Sequence, residues 1–320
     1  MLTALALADE FDVVLHDPRP RRAPNGLEIV GFGFSEILAS LGLTQLWETL
    51  DSRQLLPGVR SAWPGQGNVP WADAFRPSGV RYAIDRRSLE GALHNHVDMR
   101  PRIRRSAKPL ESDSAFLVDA TGRASAVARR MGARSRAIAD LVGHVGYGEA
   151  RNLSTPIVEP IESGWWFASA GGNAATAILF TQGKLLAGRE TWMEALMAAP
   201  LVHHHFKPDA LAPASSIPAS SRYLHPCCGG NWAAVGDAAL TRDPLSSDGL
   251  GFTARSAVLM RSCLTTDGFD AGMFDRQISL EVARYRIARH RYYSLTADRF
   301  GGAFWTRQAQ LSAKAGQLLA

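Results

Sequence analysis

Trp232-Ala233-Ala234-Val235-Gly236-Asp237-Ala238-Ala239 is followed closely by Asp243-Pro244-Leu245-Ser246-Ser247-Asp248-Gly249-Leu250-Gly251. These residue types read as a short buried strand, a Gly-Asp turn and a Gly-rich loop that opens a helix. Asp237 can accept a hydrogen bond from a sugar or polyol hydroxyl. A helix start leaves backbone N–H groups unpaired and carries a positive dipole end, so it suits an electron-rich group. Together the two halves suit a bound nucleotide.

A second strand-to-helix turn has the same character. Phe116-Leu117-Val118 reads as a strand running into Asp119-Ala120-Thr121-Gly122-Arg123 and then a helix to about Met131. Alone this could be an ordinary turn with a capped helix. Paired with the Gly236-Asp237 segment, it becomes a second place where a backbone could approach a ligand closely.

The elements that must position these turns follow from periodicity. Leu2 to Asp9 resembles the end of an Ala/Leu helix, and Val13-Val14-Leu15-His16 reads as a buried parallel strand ending at Asp17. A dinucleotide-binding unit runs strand, Gly-rich turn, helix, strand, acid. The chain supplies the helix end, second strand and acid, so the first strand and phosphate loop are expected to be missing. A Pro/Arg-rich loop (Pro18 to Pro24) leads to helices expected near 35–41 and 43–50, then to loop and short strand from Gly58 to Pro77. Asp85 to Val97 reads as a helix with Asp85 as its N-cap. From about 135 to 226 the pattern changes to strands and hairpins, including Gly164-Trp165-Trp166-Phe167-Ala168, Gly171-Gly172 and Ala177-Ile178-Leu179-Phe180. Helix dominates after Gly249.

Bulk properties exclude several classes. At 320 residues, with 46% hydrophobic and 20% charged residues, the chain is an ordinary globular sequence long enough for two domains. The net charge of +5 and pI of 9.4 raise the question of nucleic acid. Yet the excess is Arg scattered along the chain, with Lys only at 108, 184, 207 and 314, so no basic tract is built. Three cysteines make no disulfide framework and point to a reducing cytoplasm. No apolar run approaches the ~20 residues that span a bilayer, and Met1 to Ala8 lacks the basic start of a signal peptide.

Other motifs favour bland readings. Gly31-Phe32-Gly33-Phe34-Ser35-Glu36, with Asp51 beyond it, lacks a third phosphate-loop glycine; a turn feeding a packed helix is expected. His203-His204-His205 reads as a solvated surface run, since consecutive side chains diverge. Cys227-Cys228 reads as a packed pair at a strand entry. No Gly-x-Ser-x-Gly is present. Trp165 and Trp166 fall on opposite sheet faces. Either one is core and the other half-exposed, or one lines a pocket over the cofactor.

In order, these segments resemble the flavin-dependent monooxygenase and halogenase superfamily, which includes geranylgeranyl-reductase-like oxidoreductases. Val14-Leu15-His16-Asp17-Pro18-Arg19-Pro20 is similar to the second strand and ribose-binding acid, and Asn25-Gly26-Leu27-Glu28 to the segment after it. Tyr82-Ala83-Ile84-Asp85-Arg86-Arg87-Ser88-Leu89 resembles the Arg-containing helix start, with Arg86 favoured over Arg87 for reaching FAD. Asp119 to Arg123, Gly164 to Phe167, and Gly236-Asp237 with Pro244 to Gly251 complete the match.

The resemblance implies an α/β fold: a glutathione-reductase-type, Rossmann-like FAD-binding domain (1–134 and 227–320), lacking its first strand and phosphate loop, with an inserted β-sheet substrate domain (135–226). It implies FAD held by Asp17, Arg86, Asp119, Gly122, Gly236, Asp237, Pro244, Gly249, Leu250 and Gly251, with Trp165 and Trp166 in a substrate pocket. NAD(P)H or another donor would reduce the flavin. A C4a-(hydro)peroxide would then oxygenate a small molecule or a partner enzyme's side chain. Flavoproteins that modify a partner amine-oxidase-type enzyme share the Asp-Pro-Leu-Ser wording. Ser247-Asp248 stands where relatives often carry glycine, which places extra negative charge near the flavin. A lysine suggesting halogenation is not identifiable, so hydroxylation is favoured over halogenation or reduction. No catalytic residue announces itself. The alternative is a homologue that no longer binds FAD and acts as a scaffold.

Overall fold

The computed structural model describes residues 1–17, 27–31, 33–50, 53–63, 74–76, 81–107, 116–171, 174–183, 189–206 and 211–314. The loop 18–24, Asn25-Gly26, Phe32, Asp51, Gly172, Lys108, Lys184 and Lys207 lie outside them. The chain forms two compact units, residues 1–54, 82–136 and 222–282, and residues 55–81, 137–221 and 283–320. The described C-terminal residues 283–314 fall in the sheet-rich unit. No helix among the described residues is long and apolar enough to cross a membrane.

In the first unit, Val13–His16 pairs in parallel with Ile103–Ser106, register Val13 to Ile103. All four residues of that strand are half-buried, a correction to the expected fully buried strand. Leu117–Asp119 pairs in parallel with Trp232–Ala234, and the latter pairs antiparallel with Cys228–Gly229. Small buried residues (Ala233, Ala234) let the helices lie close to this sheet. Leu2–Leu7 is buried along its whole length, and Leu2, Leu5 and Ala6 share one core with Ala254 and Ala257 of the helix Gly249–Cys263. Gly33–Ser40 buries Phe34 and Leu38, so the Gly31-to-Gly33 stretch does feed a packed helix. The helix Arg86–Asp98 buries Leu89, Leu93 and Val97 at i, i+4 and i+8. Asp85 caps it, its carboxylate accepting from Ser88 N–H at 2.8 Å and Ser88 Oγ at 2.7 Å.

The second unit is built on a seven-stranded sheet in the order 212–218, 142–148, 174–181, 164–171, 157–161, 59–61, 74–76. All neighbours are antiparallel except 157–161 with 59–61. Two helices, Arg189–Met197 and Pro200–His205, share a core with Trp166, Leu179, Trp192 and Leu196. Trp165 instead stacks on Phe180 at 4.2 Å and meets Trp63 edge-on at 6.1 Å, in a cluster that includes Tyr293 and Trp305. Strand alternation explains the split.

Candidate functional site

The turn after Leu117–Asp119 is built by its own aspartate. Asp119 is wholly buried. One carboxylate oxygen accepts from Thr121 N–H at 2.9 Å and Thr121 Oγ1 at 2.6 Å; the other accepts from Ala128 N–H at 2.7 Å. The side chain therefore shapes the turn and is spent on it. Gly122 (φ +68°) sits in the left-handed region with nothing within 4 Å of where a Cβ would be. That leaves backbone open at the turn.

The Gly236-Asp237 turn is locked to this one and to the helix behind it. Val235 N–H donates to Asp119 O at 3.0 Å, and Ser125 Oγ donates to Ala238 O at 2.9 Å. Gly236 N–H donates to Ser256 Oγ at 2.9 Å. Gly236 has φ +54°, and a Cβ there would lie 3.0 Å from Thr253 Oγ1. A side chain would be both strained and crowded.

Asp237 is the charged focus of the unit. Burial raises its carboxyl above the ordinary range, the guanidiniums of Arg123 and Arg86 draw it down, and Glu28 adds to the rise. Arg86 in turn donates to Glu28 Oε1 at 2.8 Å and to Glu90 Oε1 at 2.7 Å. Burial would depress its basicity, but the charges of Glu28 and Glu90 leave it raised. Arg87 is exposed. Glu28 and Arg123, which carry no motif of their own in the sequence, thus belong to the group. Their signal was present: each stands inside a matched segment.

Beyond it, Pro244 opens a short 3-10 turn, Pro244–Ser246, with Asp243 accepting from Leu245 N–H at 3.0 Å. The Gly249–Cys263 helix then begins with Gly249, Leu250 and Gly251. Its cap residue, Asp248, makes no side-chain hydrogen bond to that start. A Cβ on Gly249 would meet nothing within 4 Å.

Asp17 stands at the end of its own two-stranded sheet, 4.0 Å from Arg105. It shares no hydrogen bond or ion pair with the other candidate residues among the described residues. Trp165 and Trp166 belong to the other unit. Both are fully buried, so the expectation of one half-exposed ring is corrected. Their ring N–H groups are spent on Tyr293 Oη at 3.2 Å and Ala195 O at 3.1 Å. His205 is also buried, not solvated: its Nδ1 contacts Arg151 O at 2.8 Å and its Nε2 contacts Arg60 Nη1 at 3.1 Å. Donation from Nδ1–H to the carbonyl and acceptance at Nε2 from the guanidinium describe a neutral ring. Cys227 and Cys228 are both buried at a strand entry, with Cys227 Sγ 3.4 Å from Asp275 Oδ1.

No family model matches the chain. A protein of Marinomonas mediterranea assigned as an FAD-dependent oxidoreductase, LodB, is 27% identical over 212 residues, covering 62% of this chain and 57% of that protein. The chain so spans little more than half the length of this curated relative. Among solved structures, the peptidyl tryptophan dihydroxylase QhpG, essential for tryptophylquinone cofactor biogenesis, matches 96% of this chain and 75% of its own, with TM-score 0.73 and 18% identity. Xcc4156, a flavin-dependent halogenase from Xanthomonas campestris, matches 96% of this chain and 78% of its own, with TM-score 0.73 and 14% identity. The chain thus shares its fold with these flavin-dependent enzymes.

The residues present fit FAD, the cofactor on which the curated relative is said to depend. A half-buried carboxylate under the charge of two guanidiniums suits hydroxyls and phosphates. The helix start whose cap side chain is turned away offers N–H groups to a polar ring edge. Two left-handed glycine turns, locked to each other, let backbone approach a planar ligand.

Proposed function

We propose that the protein is an FAD-dependent monooxygenase acting on an organic substrate, with a side chain of a partner polypeptide as the favoured target. The observation that carries this is the convergence on Asp237. Asp237, Arg86, Arg123 and Glu28 gather from four separate segments, and the Gly236 turn packs against the helix that opens at Gly249. The polypeptide target is supported by the likeness to a peptidyl tryptophan dihydroxylase and by the Asp243-Pro244-Leu245-Ser246 wording.

When bound, FAD supplies the redox and oxygen chemistry, with NAD(P)H as a candidate electron donor. The chain's own residues bind and orient. Asp237 accepts from hydroxyls at the ribityl or pyrophosphate end, and Arg86 and Arg123 offer charge to phosphate. The N–H groups at Gly249, Leu250 and Gly251 would serve the pyrimidine edge, and Asp17 would accept from the adenosine ribose. Rigid turns hold these groups in place before the ligand arrives, which lowers the cost of binding it.

The test is expression of the full-length protein. A yellow product whose flavin absorbance is lost in Asp237→Ala supports the reading. A folded, colourless protein that takes up no added FAD overturns it. Mass spectrometry of a reacted partner polypeptide then separates oxygen insertion from halogen insertion. Halogen in the product would replace the monooxygenase reading with a halogenase one.

A further inference from the structure

An aspartate in front of a helix ordinarily caps it, its carboxylate accepting from the N–H of the second or third residue. Asp85 does so at the helix Arg86–Asp98. Asp248 precedes the helix Gly249–Cys263 and does not. Its carboxylate is pulled aside by two guanidiniums. Arg242 Nη1 donates to Oδ2 at 2.5 Å; Arg255 donates from Nη2 to Oδ2 at 2.7 Å and from Nη1 to Oδ1 at 3.0 Å. Both arginines are themselves anchored to Glu281, Arg255 at 3.4 Å. Arg242 also lies over the Phe252 ring, 4.6 Å from its centre. Burial would depress Arg255, yet its bonds to Asp248 and the Glu281 charge leave it raised, so the cation is firmly held.

Gly251 belongs to the same device. A Cβ there would lie 2.3 Å from Asp248 Oδ1 and 3.2 Å from Arg255 Nη1. Only glycine leaves room for the carboxylate in its displaced position. Two cations and two anions sum to zero, so the aspartate brings no net charge to the helix start.

We propose that Arg242 and Arg255 are positioning residues that hold Asp248 off the start of the Gly249 helix, keeping its N–H groups open and its charge cancelled for the electron-rich edge of the flavin. This rests on the flavin reading above. Without the clamp, the carboxylate is free to turn onto its own helix, occupy the N–H groups and oppose negative charge on a reduced flavin.

The test compares wild type, Arg255→Gln, Asp248→Gly and the double variant of the full-length protein. FAD affinity is read by flavin fluorescence and the flavin midpoint potential by redox titration. Arg255→Gln should weaken FAD binding by about five- to tenfold and shift the potential to a more negative value. Asp248→Gly should bind at least as well as wild type. The double variant should recover wild-type affinity and potential, because the charge to be restrained is gone. That rescue also excludes misfolding as the cause. Arg255→Gln binding as wild type, or no rescue in the double variant, overturns the clamp and leaves the flavin reading standing. Wild type that binds no FAD overturns both.

Discussion

At the start of the Pro200–His205 helix, the buried carboxylate of Glu159 accepts from Leu201 N–H at 3.1 Å and Val202 N–H at 2.8 Å. At the start of the Gly249–Cys263 helix, the carboxylate of Asp248 accepts from two guanidiniums and leaves the helix alone. The same functional group meets the same kind of backbone terminus with opposite results. In the sheet-rich unit, the terminus is closed from within, as expected where a buried N–H must find an acceptor. In the other unit the carboxylate is drawn into an ion-pair network and the terminus stays open. On the reading proposed above, closure of one and restraint of the other separates a structural helix start from one left open for FAD.

The comparison breaks most visibly at Glu159. Glu159→Ala removes two charge-assisted bonds and strands two buried N–H groups, so it should lower unfolding stability by about 3 kcal/mol. Urea denaturation checks this, and a loss under ~1 kcal/mol would show that the carboxylate is not what closes that helix. Asp85→Ala should cost about 1 kcal/mol in the same assay, because its cap is exposed and water can replace it. Gly251→Ala acts on the open terminus. Alanine gains up to ~1 kcal/mol of helix propensity, which offsets the displaced Asp248 carboxylate, so stability should hardly move. FAD affinity should fall about threefold, and an unchanged affinity would mean that the carboxylate can shift without reaching the helix start.

Local chemistry was legible in the sequence. Asp85 as a cap, the Val13–His16 strand, and the Gly236 turn all depend on residues within one turn or strand, where spacing decides the outcome. What pairs across long separations was not. The charge of Asp248 read as a liability near the flavin because its partners, Arg242 and Arg255, lie six and seven positions away, and Glu281, which anchors both, lies 33 away and shares no pattern with it. That Asp119 builds its own turn was equally hidden, because its partner Ala128 lies nine positions on in the next helix. Trp165 and Trp166 alternate across the sheet as expected, but alternation is silent on what covers each face. His205 was hidden in a run of three histidines, where only Arg60 and Arg151 distinguish it.

The smallest expected effect is the most diagnostic, because it is absent at acid pH and appears only as the carboxyl ionises. Burial raises the Asp237 carboxyl above its ordinary range, against the pull of Arg123 and Arg86. Well below that range the group is protonated whether the chain is folded or not, and it contributes nothing to stability. As pH rises through about 4, the unfolded chain ionises first and the folded state loses stability until its own raised value is passed. The penalty is then constant through neutral pH. Asp237→Asn has no proton to lose, so its melting temperature should match wild type at acid pH and exceed it slightly at neutral pH. The same variant should bind FAD less well. More stability with less binding is the signature of a residue kept for its ligand. A variant no more stable than wild type at neutral pH would mean that the two guanidiniums already cancel the cost of burial. Asp237 would then resemble Asp248, an anion neutralised by its own unit and not one held ready for a ligand.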